Sequence, residues 1–107
     1  MKNGPVLDAL SALAQTTRLS IFRLLVAAGR DGLTPGQMAE QLRVAPATLS
    51  FHLKELSHAE LVTARHESRF IVYAANLEAM RRLVDYLTAA CCGDGSTSTS
   101  PVDVSRG

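Results

Sequence analysis

Two helix-start signals stand close together in mid-chain, and they constrain the fold more than any other feature. In "LTPGQMAEQL", Thr34 is a good N-cap, Pro35 suits the first helical position, and Gln37 falls three residues after the cap. That is a capping box, and it opens a helix of about two turns with Met38, Ala39 and Leu42 facing inward. Val44 and Ala45 leave room only for a tight connection before Pro46 opens the next helix, "PATLSFHLKELSH". Leu49, Leu53 and Leu56 recur along one side of it, as a buried stripe does. The opposite side carries Ala47, Thr48, Ser50, Phe51, His52 and Lys54. One local rule fails: Ala45 occupies a cap position that favours Ser or Thr.

The flanking segments complete the pattern. Val6, Leu10, Leu13 and Thr17, with Leu7 and Ala14, follow helical steps and predict a short first helix with Asn3 as its cap and Pro5 in its first turn. Thr16 or Thr17 caps a second helix, "RLSIFRLLVAAG", buried through Ile21, Leu24, Leu25 and Ala28 and ended by Gly29 and Gly32. After Leu61 the period changes. "VTARH" and "RFIVYA" are rich in β-branched and aromatic residues, and with "HESR" between them they predict a two-stranded hairpin. Asn76 caps a last helix whose apolar stripe runs Leu77, Met80, Val84, Leu87 and Cys91, widened by Leu83 and Ala90, with Gly93 as its stop. The expected fold class is therefore mainly α with a β-hairpin, a winged helix-turn-helix. Residues 1–92 form the domain, and the polar, low-complexity 93–107 form a tail expected to be disordered.

Composition excludes more than it selects. The 107 residues allow one modest core. No apolar run approaches the roughly 18 residues of a membrane span. The N-terminus "MKNGPVLDAL" lacks the apolar stretch of a signal peptide, so a cytoplasmic protein with reduced thiols is expected and no membrane partner. The formal net charge is +1, which carries no hint of nucleic-acid binding. From Thr34 to Tyr73, Arg43, Lys54, Arg65 and Arg69 are balanced by Glu40, Glu55, Glu60 and Glu67. Any DNA contact must come from which faces these groups occupy.

"LAQTTRLSIFRLL", "LTPGQMAEQLRVAPATLSFHLKELSHAELV" and the hairpin after them resemble the ArsR/SmtB repressors over roughly residues 5 to 92. The core of the resemblance is Ser50, His52 and Leu53 in an S-x-H-L arrangement. It implies a homodimer paired through the first and last helices, bound to double-stranded operator DNA and released by a metal, metalloid or redox signal.

A major groove about 12 Å wide admits one helix. Thr48, Ser50 and His52 can hydrogen-bond to base edges or phosphates, Phe51 can pack on a thymine methyl, and Ala47 permits close approach. Lys54 and Arg43, with Arg65 and Arg69 at the hairpin, can neutralise phosphates; Gln37 joins them as a DNA-binding candidate from the preceding helix. His58 and His66 are expected to be surface residues rather than zinc ligands. At Arg18 a structural ion pair is expected.

The chain's only cysteines are Cys91 and Cys92. Consecutive Cα atoms lie about 3.8 Å apart, below the usual disulfide separation of about 4.4 Å or more, so both are expected as thiols. As structural residues they would be small apolar side chains finishing a helix. The resemblance gives another role. Family sensor sites on the third helix use cysteines, and "GQMAEQL" has none; those on the last helix use His and carboxylates, and here only Glu78 and Asp85 stand there. Cys91 and Cys92 resemble the vicinal cysteines of arsenic-responsive members. Soft trivalent arsenic (arsenite, methylarsenite) or antimony favours thiolates, so the expectation is an inducer held by these two residues and no permanent cofactor. A thiol-redox repressor of the same fold, or a winged-helix interaction module without effector, is the alternative. An enzyme is not expected. Thr97 and Ser98 stand where a cysteine phosphatase or arsenate reductase would need its arginine, and no nucleophile–base–orienter set occurs elsewhere.

Overall fold

The computed structural model describes residues 3–89. The elements are α1 (Asn3–Leu13), α2 (Thr16–Ala28), a 3-10 turn (Gly29–Asp31), α3 (Pro35–Leu42), α4 (Pro46–His58), β1 (Val62–Glu67), β2 (Phe70–Ala75) and α5 (Leu77–Thr88). The expected winged helix-turn-helix is the observed one. The tail 93–107 and both cysteines lie outside the described residues.

The capping box forms as read. Thr34 Oγ1 accepts from the Gln37 amide at 3.2 Å, and Gln37 Oε1 accepts from the Thr34 amide at 2.8 Å. Arg43, in the left-handed region with φ 56°, turns the chain from α3 into α4. Leu49, Leu53 and Leu56 then enter a core with Ile21, Phe22, Leu25, Met38 and Leu61. At the end of α4, Glu60 has φ 62° and donates to the Ser57 carbonyl, while the Leu61 amide reaches back to Leu56. That is a Schellman ending with Glu where glycine is usual. The Asn76 side chain serves both ends of the hairpin: Nδ2 donates to the Glu60 carbonyl and Oδ1 accepts from the Ala79 amide.

Several details differ from the sequence reading: Asn3, expected as the cap of α1, is its first described helical residue. The cap of α2 is Gln15, whose Oε1 accepts from the Arg18 amide at 2.8 Å, and Thr16 is the first helical residue. The hairpin is longer on its first strand and closes through Ser68 (φ 56°) and Arg69, with register Glu67↔Phe70. The inward faces of the terminal helices are the narrow ones. Val6, Ala9 and Ala12 of α1 and Ala79 and Leu83 of α5 are buried. The larger apolar residues look outward: Leu7 is 63% exposed, Val84 51% and Leu87 53%. Both faces are apolar, so periodicity alone could not choose between them. Tyr86 donates a hydrogen bond to Asn3 Oδ1, joining α5 to α1.

A feature without a sequence signal is a third, one-residue strand. Leu33 and Tyr73 exchange two backbone bonds of 2.8 Å, tying the start of α3 to the hairpin. Gly32 makes this approach possible: a Cβ there would lie 2.3 Å from the Tyr73 carbonyl oxygen. Gly29 has a similar backbone (φ 69°, ψ −152°) but open space around it. Gly29→Ala should therefore cost only backbone strain, about 1–3 kcal/mol, and Gly32→Ala clearly more. Equal losses for the two variants in denaturant unfolding would contradict the close packing at Gly32.

Candidate nucleic-acid interface

The outer side of α4 is built by default. Its three leucines fix one side in the core, and Ala47, Thr48, Ser50, Phe51 and Lys54 are all left exposed. Phe51, 56% exposed, is a large apolar ring that the fold does not use. The failed cap rule falls at the head of this surface. Ala45 supplies no side-chain acceptor, and Pro46 has no amide, so the first-turn amides of Ala47 and Thr48 are left for an outside acceptor. A phosphate oxygen at the positive end of a helix suits them.

Of the other candidate residues, Arg43 stands exposed at the α3–α4 turn and Arg69 at the hairpin tip. Gln37 is exposed, but its amide oxygen serves the capping box. Arg65 has a different position from the one expected. Its Nε donates to Glu67 at 2.7 Å, and its two terminal nitrogens donate to the carbonyls of Arg30 and Asp31 at 3.0 Å each. The guanidinium thus clamps the hairpin to the 3-10 turn. Glu67, unhelpful near phosphate on charge alone, completes that clamp.

His52 also departs from the expectation that it faces DNA. It is 8% exposed and turned toward α2. Its Nδ1 lies 3.3 Å from an Arg18 terminal nitrogen, and Arg18 Nε donates to the Ala12 carbonyl at 2.7 Å. Burial, then the Arg18 charge, push the His52 pKa below the usual imidazole value, with Glu55 acting in the opposite direction. Arg18 is thus held by a carbonyl and an imidazole, where an ion pair was expected. The separation of 34 residues between Arg18 and His52 left no periodic trace in the sequence. His58 and His66 are exposed, as expected. Among the described residues, no group of three or more His, Cys, Asp or Glu is placed to hold a metal ion. No described helix is long and apolar enough to cross a membrane.

Residues 13–65 match the helix-turn-helix domain family. Over 85 residues the chain is 35% identical to a Halobacterium salinarum protein assigned as the arsenical resistance operon repressor ArsR, covering 76% of this chain. The chain spans 65% of that relative's length and 57% of another curated relative's. Among solved structures, an ArsR-like transcriptional regulator from Rhodococcus sp. RHA1 superimposes with a TM-score of 0.73, covering 81% of this chain and 79% of that one. At 24% identity it shows the likeness of fold. The homodimeric winged helix-turn-helix DNA-binding domain of Mb0332 from Mycobacterium bovis superimposes with a TM-score of 0.66 at 27% identity, covering 81% and 79%. In fold, and in sequence over much of its described length, the chain is similar to winged helix-turn-helix transcriptional regulators.

Proposed function

We propose that this protein is a homodimeric transcriptional repressor that binds double-stranded operator DNA and leaves it when a trivalent arsenical or antimonite binds Cys91 and Cys92. The observation that carries the DNA reading is the outer side of α4, exposed along its length and without a side-chain cap at its head. Thr48 and Ser50 offer hydroxyls to base edges, Ala47 and Phe51 offer apolar contact to thymine methyls, and Lys54 and Arg69 offer charge to phosphates. Arg65 and His52 hold this surface in place from behind. The homodimer is supported by the outward Leu7 and Leu10 of α1 and Val84 and Leu87 of α5, and by the homodimeric Mycobacterium bovis relative. Residues 1–92 serve as the working domain, in the cytoplasm, where thiols stay reduced.

The effector reading rests on the donor set and on the Halobacterium salinarum relative's assignment to arsenical resistance. Two adjacent thiolates suit one soft trivalent centre. They follow α5, whose outward apolar side would pair the two subunits. A centre bound there acts on the helix that sets the distance between the two copies of α4. Inorganic arsenic(III) has three ligand positions, whereas methylarsenite has one already filled by carbon and needs only two thiolates. Ser96, Thr97 and Ser98 downstream are hydroxyls, weak substitutes for a third thiolate.

Ser50→Ala should weaken specific operator binding by roughly 1–3 kcal/mol, read by fluorescence anisotropy against random duplex. Arg69→Ala should weaken all sequences alike and flatten the salt dependence by about one unit of slope per subunit, about two for the homodimer. Arg65→Ala should instead lower the unfolding midpoint, since it leaves two carbonyls and a carboxylate without their donor. A monomer that does not distinguish operator from random DNA would sink the reading. Replacing both Cys91 and Cys92 with Ser should preserve operator affinity and abolish release by arsenicals. Without added thiol, methylarsenite should release the wild-type protein at least as readily as arsenite, and Ser98→Cys should improve the arsenite response. Normal release from the double variant, or arsenite clearly the stronger inducer of the unmodified protein, contradicts the two-thiolate site.

A further inference from the structure

His52 is the one buried polar or charged side chain among the described residues, and DNA contact does not explain its position. Arg18 does. The Arg18 residue touches three places: its amide donates to Gln15 Oε1 at the start of α2, its Nε to the Ala12 carbonyl in the last turn of α1, and a terminal nitrogen reaches His52 Nδ1 in the middle of α4. One guanidinium therefore ties the end of α1 to the helix proposed to read DNA. Arginine has donors only, so the tie requires an acceptor lone pair on Nδ1, with the imidazole proton on Nε2. A protonated imidazole would present a second donor and a second positive charge to the guanidinium.

We propose that Arg18 and His52 are a proton-sensitive positioning pair. They fix α4 against α1 only while His52 is neutral, so operator affinity falls on acidification. The inference rests on the assignment of α4 as the reading helix. The surrounding charges fit it. Arg18 comes from α2 and Glu55 from α4 itself, and the cleft beside Arg18 is lined by Asp8 of α1 and His58 of α4. From α3 and β1, which also pack on α4, Met38 and Val62 enter the shared apolar core. Burial and Arg18 outweigh Glu55, so proton uptake falls below the ordinary imidazole range. Folding lowers this pKa, so the unfolded chain binds the proton first. The stability the link contributes is complete above about pH 6.5 and is lost as pH falls toward the folded value. The link reaches the DNA side through Phe51, whose ring meets the His52 ring edge to face at 5.3 Å and 66°.

The direction of the effect distinguishes it from general electrostatics. Protonating surface histidines near phosphates strengthens DNA binding; releasing this pair weakens it. The test uses the full chain in two measurements. In the protein without DNA, an NMR titration follows the His52 imidazole and the amides of Ala12 and Arg18. The expected result is one shared midpoint below the ordinary imidazole range. With operator duplex at constant salt, anisotropy should show binding up to about fivefold weaker at pH 5.5 than at pH 7.5, the part of a one-unit pKa coupling that is expressed by that pH when the midpoint lies below the ordinary imidazole range. His52→Asn keeps an oxygen acceptor near the Nδ1 position and does not titrate, so its binding should not weaken with acid. Arg18→Met removes the opposing charge and should behave likewise; it provides the comparison if His52→Asn does not fold. Wild-type affinity that rises on acidification, or a variant that remains as acid-sensitive as wild type, overturns the proposal. A protein without sequence-specific binding even at pH 7.5 overturns the DNA reading instead. The NMR titration then still decides the pair: Ala12 and Arg18 amides that do not follow His52 refute it.

Discussion

The structure depends on burying one side of α4. Leu49, Leu53 and Leu56 meet Ile21, Leu25, Met38 and Leu61, all of them almost completely removed from water. Fully burying a side chain of this kind contributes about 1.5–3 kcal/mol, so these contacts dominate the packing of the helix. They also decide its other side. In this 13-residue helix, held by one stripe and by His52, the exposed residues Ala47, Thr48, Ser50, Phe51 and Lys54 are free of packing demands, and they are small, hydroxylated, aromatic or basic. The proposed reading surface is thus the complement of the core.

Polar ties then set the angles that apolar burial leaves loose. The capping box fixes where α3 starts, and left-handed Arg43 fixes the turn into α4. Asn76 closes the end of α4 onto the start of α5. Arg65 ties the hairpin to the 3-10 turn, and the Leu33–Tyr73 bridge ties it to α3. Each is a specific hydrogen bond of modest net stability. Their joint effect is orientation, so that α4 and the hairpin tip are presented together. The exposed ion pairs of Glu78 with Arg81 and Arg82 on α5 belong to a different class. They are solvated and add little.

What was legible in the sequence was what repeats or caps. Thr34, Pro35 and Gln37 announced α3, the leucine spacing of α4 gave its buried side, and Asn76 gave the start of α5. Local chemistry also marked Ala45 as a failed cap, and it lies at the head of the proposed interface, where a broken local rule is expected. Contacts between residues far apart in sequence stayed hidden. Nothing in "TTRLS" or "SFHLK" says that Arg18 and His52 meet, and nothing near Arg65 names the carbonyls it reaches. For α5 the sequence marked one apolar stripe, and only packing showed that Ala79 and Leu83 go inward while Leu77, Val84 and Leu87 look out; on α1 the buried Ala9 and Ala12 were not singled out.

The outer side of α4, with the hairpin tip, is the surface proposed to meet DNA. Backbone NMR of the full chain, before and after adding its upstream duplex, tests it most directly. The account predicts saturable shifts in the amides of Ala47, Thr48, Ser50, Phe51, Lys54 and Arg69, the amides of Ala47 and Thr48 moving as their first-turn N–H groups gain a phosphate acceptor. It predicts little change along the exposed side of α2 around Arg23 and Ala27. Shifts concentrated on α2 or α5, with α4 unmoved at saturating duplex, would contradict it.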